Sequence, residues 1–512
     1  RENGQSLGFN YVGKIDFQPN DNINVTLGTY ATFSKVNEYS FFNSLFSPEA
    51  NTIRQDLNAR GLFRFTQRLG KSGLLEKQDA KKSAISNAFY TFQVSYQKEY
   101  VDVENPNHGT NIFDYGYVGK FKTHRSSLYG LDTAQGGYRG IKYRGETDDS
   151  VTFTPGGKNP ILENYVKAIY NDGRFPVRTI NEIPQLLGLR NGDNVQSVYG
   201  MWAGTGRQNT TFSKTRTDMV TVNLDASLDI LQGAKNKKRI DPITHNIQFG
   251  LMYDQRTVRS YALGATGLWN VMRVNTNRQF KALDLDNPQF WVGGNVYSRA
   301  DLDNGLVQFS PFDTIRYNQL YVASDQSRFD RELRKALGYA ENNTTTIDID
   351  NLDPSVFKLE MFSADDLLFR GNDVVGYVGY DPYGKKLTRQ PSFNDFWTKK
   401  DARGDFARPI GAFQPIYQAG YILDKFSYKD LNFNIGMRID RYDANQKVLK
   451  DPYSLYGVRK VGDIANVEKS LVTVEGTGTA PDPSSFDSDY VVYIDNNQSS
   501  KPKVVGYRKG DI

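Results

Sequence analysis

Three short acidic runs in one long segment are the residues best placed to do chemistry. Each reads Asp-x-Asp-Asn, at 284–287, 301–304 and 348–351, and Asp353 follows shortly after the third run. Alternating carboxylates can converge their oxygens on calcium, which prefers oxygen ligands. None of the runs continues with the glycine and the distant glutamate of an EF-hand. We predict a calcium site at Asp348, Asp350 and Asp353, against the alternative that these residues initiate turns and cap helices.

The histidines and the glycine-bearing segments give no enzyme pattern. His108, His124 and His245 lack the spacing of a metalloenzyme pair, and we expect them to be exposed, with His245 in a turn. The sequence contains no nucleophile elbow, phosphate loop or dinucleotide fingerprint, and segment 204–210 lacks the lysine of a phosphate loop. No acid–base pair is singled out by its spacing. We therefore predict that the protein is not an enzyme and has no catalytic or cofactor-binding residues.

Two further sets of side chains have a binding and a structural interpretation. Arg60, Arg64 and Arg68 are four residues apart on one predicted strand face. They suit an anionic solute or an acidic protein segment, but ordinary charge on a wet face is the preferred interpretation. The aromatic residues of 374–383 and Trp291 could stack on sugar rings or hold a peptide, and equally could pack a loop. No substrate-binding residue can be named from the sequence.

Eight segments of alternating apolar and polar residues must position these side chains. In 219–231, for example, Val220, Val222 and Leu224 alternate with Thr221 and Asn223. A period of two predicts a strand with one apolar and one polar face. The seventh segment places Tyr417, Ala419, Tyr421 and Leu423 on one face. The eight predicted strands are 11–17, 23–33, 59–69, 88–98, 219–231, 246–256, 415–424 and 431–441.

The strands form four predicted hairpins separated by long loops. The hairpins span about 11–33, 59–98, 219–256 and 415–441, and their own connections are short or moderate in length. The intervening loops span about 34–58, 99–216, 257–414 and 442–512. Loops of this length are unusual in compact domains and are usually functional. Probable helices at 159–172 and 327–340 indicate that these loops are folded.

Composition excludes several classes of protein. The chain has 512 residues, of which 38% are hydrophobic and 13% aromatic, and it has no cysteine, so disulfides and thiolate chemistry are excluded. Its net charge of +5 does not indicate nucleic-acid binding. No apolar run approaches the roughly 18 residues of a membrane helix, in line with a mean hydropathy of -0.59. Because the chain begins with Arg1, has no signal peptide and ends in GYRKGDI, we expect it to be a piece of a longer protein.

The asymmetry between short turns and long loops decides between two β architectures. A soluble sandwich has short loops at both ends and regular strand spacing, whereas an outer-membrane barrel has short periplasmic turns and long extracellular loops. We therefore predict an all-β fold: a transmembrane antiparallel β-barrel with long, partly helical extracellular loops. Its apolar strand faces would contact lipid, and its polar faces would line a wet lumen. A soluble multidomain chain with β hairpins and helical insertions is the alternative.

Two stretches carry a family resemblance. KIDFQPNDNINVTLGTYATFSK, and FQPIYQAGYILDKFSYKDLNFNIGMRIDRYDANQ followed by DPYSLYG, resemble hairpins of TonB-dependent outer-membrane receptors of Bacteroidota, in the Oar-like subgroup that carries a carboxypeptidase-regulatory-like domain. The resemblance implies a 22-stranded barrel with a plug, and residues 1–512 would then be part of the barrel without the plug domain. It also implies location in the outer membrane, ligand import and three kinds of partner: lipids, a TonB-type energy-transducing protein, and a surface lipoprotein or other outer-membrane subunits.

Two other functions stay open at this point. A receptor-like barrel with large loops could serve as a non-transporting scaffold subunit of an outer-membrane assembly. A plug and a TonB box upstream would distinguish the transporter from the scaffold. An extracellular adhesin or a hydrolase ranks last, because no acid–base pair is found. The sequence does not identify the ligand.

Overall fold

A computed structural model describes residues 4–69, 85–133, 137–173, 176–232, 243–368, 374–428, 430–449, 451–454, 458–460, 490–494 and 504–509. The protein is mostly β, with 48% strand and 15% helix. In chain order the strands are β1 Ser6–Asn20, β2 Ile23–Asn37, β3 Ile53–Leu69, β4 Ile85–Glu104, β5 Gly119–Thr133, β6 Arg139–Pro155, β7 Ser197–Val198, β8 Trp202–Ala203, β9 Thr211–Gln232, β10 Ile243–Gly264, β11 Phe280–Leu283, β12 Gln289–Val292, β13 Asn295–Tyr297, β14 Thr314–Arg316, β15 Gln319–Tyr321, β16 Val375–Val378, β17 Ile416–Tyr428, β18 Leu431–Asp443, β19 Arg459–Lys460, β20 Val491–Ile494 and β21 Val504–Arg508. The α-helices are α1 Pro160–Asp172, α2 Glu182–Gln185, α3 Gly267–Asn275, α4 Arg299–Asp303, α5 Arg328–Ala336, α6 Ala364–Leu367 and α7 Asp395–Thr398.

One large antiparallel sheet contains all eight strands that the alternation predicts. Its order is β1-β2-β3-β4-β9-β10-β17-β18, and β16 pairs with β10 beside this path. The strands extend beyond the predicted segments, and β9 and β10 reach 22 residues each. Strands β4 and β9 are neighbours, with Tyr96 opposite Val220, although more than a hundred residues separate them in the chain. Period-two patterning finds strands, but it carries no information on such a long-range pairing.

One side of this sheet, here called the apolar face, carries large apolar side chains from every strand. The register aligns them in continuous cross-strand rows, since Phe63 lies opposite Leu27 and Val94, and Leu251 lies opposite Leu224 and Gly420. Many of these side chains are exposed, as shown by Ile15 at 67%, Leu251 at 60% and Ile439 at 64%, and the others, such as Val25, Val94 and Val222, are half-buried. The face includes Phe9, Ile15, Phe17, Val25, Leu27, Phe33, Phe63, Phe65, Phe92, Val94, Val222, Leu224, Phe249, Leu251, Ile422, Phe426, Ile435, Met437 and Ile439.

The opposite side, here called the polar face, carries cross-strand hydrogen bonds. Arg60 donates to Ser95 Oγ at 3.0 Å, and Thr221 Oγ1 donates to Asp254 at 3.0 Å. The buried side chains near the middle of these strands lie mostly on this face: Thr26, Ser95, Thr221 and Ser227. The sheet therefore exposes its apolar side chains and buries polar ones, the reverse of the usual arrangement in a soluble protein.

In β17 the side chains that look apolar in the sequence lie on the polar face of the sheet. Tyr417, Ala419, Tyr421 and Leu423 do share a face, but it is the polar face, because Gly420 and Ile422 align with Leu251 and Phe249. The Tyr421 hydroxyl donates to Asp225 at 2.9 Å. A tyrosine satisfies a polar face through its hydroxyl, so its apolar ring is an ambiguous marker of orientation.

The long connections between strands, residues 38–52, 105–210 and 265–415, are here called the cap. They contain the main hydrophobic core, in which Trp269 stacks on Tyr117 at 5.7 Å and meets Phe357 edge-on at 5.7 Å. Phe329 stacks on Phe362 at 4.5 Å in the same core. A second core lies between the β5–β6 hairpin and α1, around Phe121, Val151, Leu162 and Val166, and a third surrounds Phe290 and Ile315.

Both predicted helices of the cap are present. Helix α1 begins with Pro160, whose missing N–H costs nothing in the first turn, and ends at Gly173 with φ +62°. Helix α5 is capped by Ser327, which accepts from Asp330 N at 3.0 Å. It ends at Ala336, earlier than predicted, because Gly338 takes the left-handed conformation with φ +78°. None of the described helices is both long and apolar enough to cross a membrane.

Residues 445–512 form a separate compact unit. Its described part holds the antiparallel sheet β19-β20-β21. The Asp451 carboxylate, which is buried, pairs with Arg508 and accepts from the Tyr493 hydroxyl at 2.9 Å. The segment predicted as a loop from 442 onward therefore carries strands of its own.

Candidate functional site

Two adjoining cavities in the cap form the candidate site. The first measures about 610 Å³ and the second about 650 Å³, and Arg207 and Gln208 line both. Such volumes lie within the range of small-ligand sites. The first cavity is walled by the segments 105–114, 157–162 and 206–208, with Glu49. The second is walled by 38–43, 50–52, Asn194 and 207–210.

Asn51 organises the wall of the second cavity. Its Oδ1 accepts from Ser40 N at 3.3 Å and from Asn43 Nδ2 at 3.1 Å, which orients the amide. Its Nδ2 is buried without a hydrogen-bond partner among the described residues, and the side chain is only 7% exposed. An unsatisfied buried donor costs roughly 1–3 kcal/mol. A ligand acceptor reaching this wall would relieve that cost.

Asn159, at the start of α1, organises the wall of the first cavity. Its Nδ2 donates to the carbonyls of Asp114 at 2.9 Å and Tyr117 at 2.8 Å, which ties the helix to the loop after β4. Its Oδ1 lies 2.7 Å from Nε2 of His108 and also accepts from Gln208. The amide of Gln208 in turn accepts from Gly116 N at 2.9 Å. These amides hold the wall in one arrangement.

The floor behind this wall is aromatic. The His108 ring meets the Tyr115 ring at 5.1 Å, and the Tyr115 hydroxyl donates to the Gly109 carbonyl at 2.7 Å. Burial raises the pKa of Tyr115 to about 12 and that of Tyr117 to about 12. Both phenols are therefore neutral at physiological pH and contribute no charge to the site.

The charges of the first cavity are partly paired. Lys158 lies 3.3 Å from Asp114, which neutralises both. The Arg207 guanidinium lies 4.9 Å from the Phe42 ring centroid, and no hydrogen bond or ion pair joins its side chain to any described residue. The Glu49 carboxylate likewise has no partner within the described parts of the chain, and its residue is exposed. The cavity thus holds one unpaired cation and one unpaired anion more than 4 Å apart.

An apolar rim lies beside the second cavity. Phe41 and Phe46 meet Trp202 at 6.1 Å and 6.4 Å, and Phe41 is 59% exposed. The β7–β8 hairpin that carries Trp202 is attached through Ala203 N, which donates to the Phe42 carbonyl at 2.6 Å. Amides, a free guanidinium and exposed rings are groups that bind a ligand by hydrogen bonds, charge and contact.

The first two acidic runs are used in turns and caps, as the alternative interpretation expected. Asp301 forms a capping box with Ser298 at the start of α4. Asp284 accepts from the Asn287 amide at 2.9 Å within a turn. Side-chain acceptors at such positions satisfy backbone or local donors that helix ends and turns leave open.

The aspartates of the third run, and Asp353 after it, bind separate partners. Asp350, which is buried, forms an ion pair with Arg273 at 2.6 Å and accepts from Asn191 at 3.0 Å. Asp348 pairs with Arg125 at 2.6 Å. Asp353 caps a turn through the Ser355 hydroxyl and N–H, which lower the pKa of Asp353. Within the described residues no group of three His, Asp or Glu side chains could hold a metal. Calcium at this run stays a prediction, and the ion would have to displace two arginines.

The histidines are more engaged than expected. His108 lines the first cavity. His245 lies in β10 rather than in a turn, pairs with Asp424 at 2.8 Å and meets Phe426 at 4.8 Å. His124, in β5, lies 3.1 Å from Thr152 Oγ1. A turn was expected for His245 because the preceding basic stretch breaks the alternation, yet β10 begins at Ile243.

The arginine row and the aromatic patches have structural roles. Arg60 and Arg64 bond Ser95 and Gln93 across the polar face, Arg64 at 2.8 Å. In segment 374–383, Tyr377 and Tyr380 are buried in the main core. Trp291 lies under the Arg316 guanidinium at 4.5 Å. None of these residues lines the two cavities.

The cavity residues escaped sequence reasoning because they come from five separate segments: 38–52, 105–114, 157–162, Asn194 and 206–210. The only local signal is the density of amides in 105–111 and 207–209, which turn chemistry explains equally well. Comparisons of the chain with protein-family models, with curated proteins and with solved structures found no match.

Proposed function

We propose that this chain is part of an outer-membrane β-barrel receptor of the TonB-dependent type, which captures a ligand with its cap and imports it without covalent chemistry. The observation that supports this most directly is the apolar face of the large sheet. Its side chains are contiguous and either exposed or half-buried, while the opposite face is polar and hydrogen-bonded. A lipid-facing barrel wall has this polarity.

The energetics favour lipid over water at this face. Burying apolar surface stabilises by roughly 25 cal/mol per Å², so a belt across eight strands would strongly disfavour exposure to water. Exposed apolar patches larger than a few hundred Å² mark interaction sites. The cap has its own cores and does not cover Leu251, Ile422 or Ile439. Lipid is the occupant that fits a belt running along every strand.

Strand length and aromatic placement agree with a bilayer. Crossing it requires about 9–11 tilted residues, and the strands of the sheet have 13 to 22. At the short-turn end of the apolar face, His245, Phe426 and Phe433 form a stack with centroids 4.8 and 4.9 Å apart. Aromatic girdles lie at this level in membrane barrels.

Within the described residues the large sheet ends at β1 on one side and at β18 on the other, which also supports a larger closed wall. Strand β1 is exposed at all but one residue and β18 at all but its last. Within a bilayer, unpaired backbone groups cost several kcal/mol each, so both edges require partners. A barrel of 22 strands supplies such partners and also matches the family resemblance of the two hairpin stretches.

The chain has no cysteine, so single cysteines can report which face meets lipid. We would introduce Leu251→Cys on the apolar face and Met252→Cys, its neighbour on the polar face, and treat isolated membranes with a water-soluble maleimide. We expect Leu251→Cys to be protected in membranes and to react after denaturation. Phe312→Cys, at a cap position that is 85% exposed, is the control and should react on intact cells.

The same experiment can overturn the membrane location. Leu251 is highly exposed in the protein alone, so a water-soluble protein would label Leu251→Cys at least as fast as Met252→Cys. Recovery of the chain in the soluble fraction would have the same meaning. Import and scaffolding share the membrane location, so copurification with a TonB-type protein from those membranes, and its absence, would distinguish the two.

A further inference from the structure

We propose that the first cavity binds a short peptide with free ends, whose carboxylate pairs with Arg207 and whose ammonium pairs with Glu49. As the ligand of a receptor this peptide rests on the proposed function, although its binding can be measured apart from membrane location. The inference is carried by the two unpaired charges and by the amides between them.

The Arg207 side chain is available to bind a carboxylate. Its guanidinium lies over the Phe42 ring at 4.9 Å, a cation–π contact that occupies none of its N–H donors with a hydrogen-bond acceptor. The N–H donors lie in the plane of the group and have no partner in the described chain. A planar fork of free donors matches a carboxylate in a bidentate manner. Its position at the junction of both cavities lets a ligand reach it from either side.

Glu49 supplies the complementary charge. It lines the first cavity together with Arg207, yet the two side chains do not form an ion pair. The other charged pair of this cavity, Asp114 and Lys158, is already neutralised at 3.3 Å. A ligand that carries one anionic and one cationic group therefore balances the remaining charges. A neutral sugar would leave both charges without a partner.

The amides match peptide groups. Each Asn or Gln side chain presents a donor and an acceptor side by side, the same pair that a peptide group presents. Asn107 and Asn111 line the first cavity with amides that make no hydrogen bond to the described residues, whereas the amides of Asn105 and Gln208 are already bonded within the wall. In the second cavity the Nδ2 donor of Asn51 is buried without a partner. A ligand carbonyl is the acceptor that would satisfy it.

The neighbouring apolar rim fits side chains of such a peptide. Phe41, Phe46 and Trp202 cluster beside the second cavity, and Leu45 is 57% exposed on the same segment. A surface made of both aliphatic and aromatic side chains can contact apolar ligand side chains of different shapes. This tolerance suits a peptide of varied sequence.

The test is equilibrium dialysis of the purified chain in detergent against a pool of tetrapeptides with free ends, with retained peptides measured by mass spectrometry. Parallel pools carry an amidated C-terminus or an acetylated N-terminus. We expect amidation to weaken retention about tenfold or more, since hydrogen bonds to charged groups are the strong ones. Acetylation should weaken retention by a smaller factor, because Glu49 is more exposed than Arg207.

Variants assign each end to its residue. In Arg207→Gln, peptides with free and with amidated C-termini should be retained equally. Arg207→Lys should keep part of the preference for a free C-terminus. Glu49→Gln should abolish the difference at the N-terminus alone. Arg389→Gln and Glu341→Gln are matched controls at exposed positions outside the cavities and should behave as the parent chain.

Several outcomes would overturn the inference. Equal retention of the free and blocked pools would remove the role of the charged ends. Retention of uronic-acid oligosaccharides but of no peptide would assign Arg207 to an acidic glycan. Retention of neither would show that the cavity is not a site for either ligand class. Because the assay uses detergent-solubilised chain, its failure leaves the cysteine-labelling result, and hence the membrane location, unaffected.

Discussion

At the scale of single residues, aspartates of similar acidic runs differ in how deeply they are buried. Asp350 is buried against Arg273, whereas Asp286 of the first run is exposed. Removing one partner of a buried pair leaves the other charge uncompensated, which costs roughly 3–5 kcal/mol when burial is complete. Because the Arg273 side chain retains 20% exposure, we expect Asp350→Asn to lower cap stability by roughly 2–4 kcal/mol.

Thermal unfolding followed by near-ultraviolet circular dichroism measures this cost. Asp286→Asn is the matched control and should leave the melting temperature unchanged. If Asp350→Asn melts with the parent chain, the ion pair contributes nothing to the cap and our account of the motif is wrong.

The calcium prediction has its own measurement at this scale. A bound ion must compete with Arg125 and Arg273 for the carboxylates of Asp348 and Asp350. If calcium binds, millimolar calcium will raise the melting temperature, and Asp348→Asn will reduce its apparent affinity about tenfold or more. Asp303→Asn, in the second run, is the control. Melting curves that are identical with calcium and with chelator would refute this site.

Tyr117 predicts how stability responds to alkaline pH. Burial raises its pKa from 10.0 to about 12 in the folded protein. The folded state therefore keeps a proton that the unfolded chain loses, so this stabilisation is complete below pH 10 and is lost as the pH rises toward 12. We expect the parent chain to lose stability above pH 10 more steeply than Tyr117→Phe.

Chemical denaturation at pH 9 and pH 11 would measure the difference. The ratio of the parent's folding constant to that of Tyr117→Phe should fall by about tenfold between the two. Tyr199→Phe, at a position 90% exposed, is the control and should track the parent. Parallel pH profiles for the parent and Tyr117→Phe would show that this phenol does not titrate with unfolding.

At the scale of elements, the main hydrophobic core belongs mostly to the cap, and the sheet contributes to it through β16 and through the cap end of β10, at Tyr261 and Leu263. Trp269 is fully buried among Tyr117, Phe357 and Gly192, where an added Cβ on Gly192 would lie 2.5 Å from the tryptophan Cβ. Trp269→Ala should destabilise the cap by about 3–5 kcal/mol. The strands of the sheet lack this core over most of their length, so they should keep their arrangement.

Limited proteolysis in membranes distinguishes the two elements. We expect Trp269→Ala to be cleaved faster within 265–415, while Leu251→Cys placed in the same background keeps its protection from maleimide. Trp397→Ala, at a position 52% exposed, is the control. Loss of protection at position 251 would mean that the cap and the sheet fold as one cooperative unit.

The elements also show what the sequence could predict. Alternation located eight of the nine strands of the sheet, because a strand with one apolar and one polar face has a sequence period of two. The four-residue strand β16 was not predicted. Alternation did not predict that β4 pairs with β9, since pairing across a long insertion depends on how the insertion folds. It grouped the four side chains of β17 on one face correctly but did not indicate that this is the polar face, because tyrosines and a leucine occupy it. The cavities were missed for the same reason as the pairing: their walls come from five segments that only the folded cap brings together.

At the scale of the whole molecule, β1 and β18, the two outermost strands of the sheet among the described residues, are expected to govern solution behaviour. Exposed edges with apolar residues are templates for pairing with another chain. We expect the isolated chain to self-associate in aqueous buffer and to stay dispersed in detergent, as sedimentation velocity can show. Ile439→Lys on β18 should reduce association several-fold, whereas Leu285→Lys in the cap should not. A chain that is monomeric in water at micromolar concentration would contradict this account.

The length of β9 and β10 has a consequence for where the cavities stand. Only about 9–11 of their 22 residues are needed to cross a bilayer. In the proposed orientation the remaining half, at about 3.4 Å per residue, extends roughly 35 Å beyond the bilayer, and along that length β9 also pairs with β4, which in turn pairs with β3. The cap would then stand beyond the layer of lipid headgroups, among the sugar chains that coat the cell. Large surface polymers and other cells would meet the cavities before they meet the membrane.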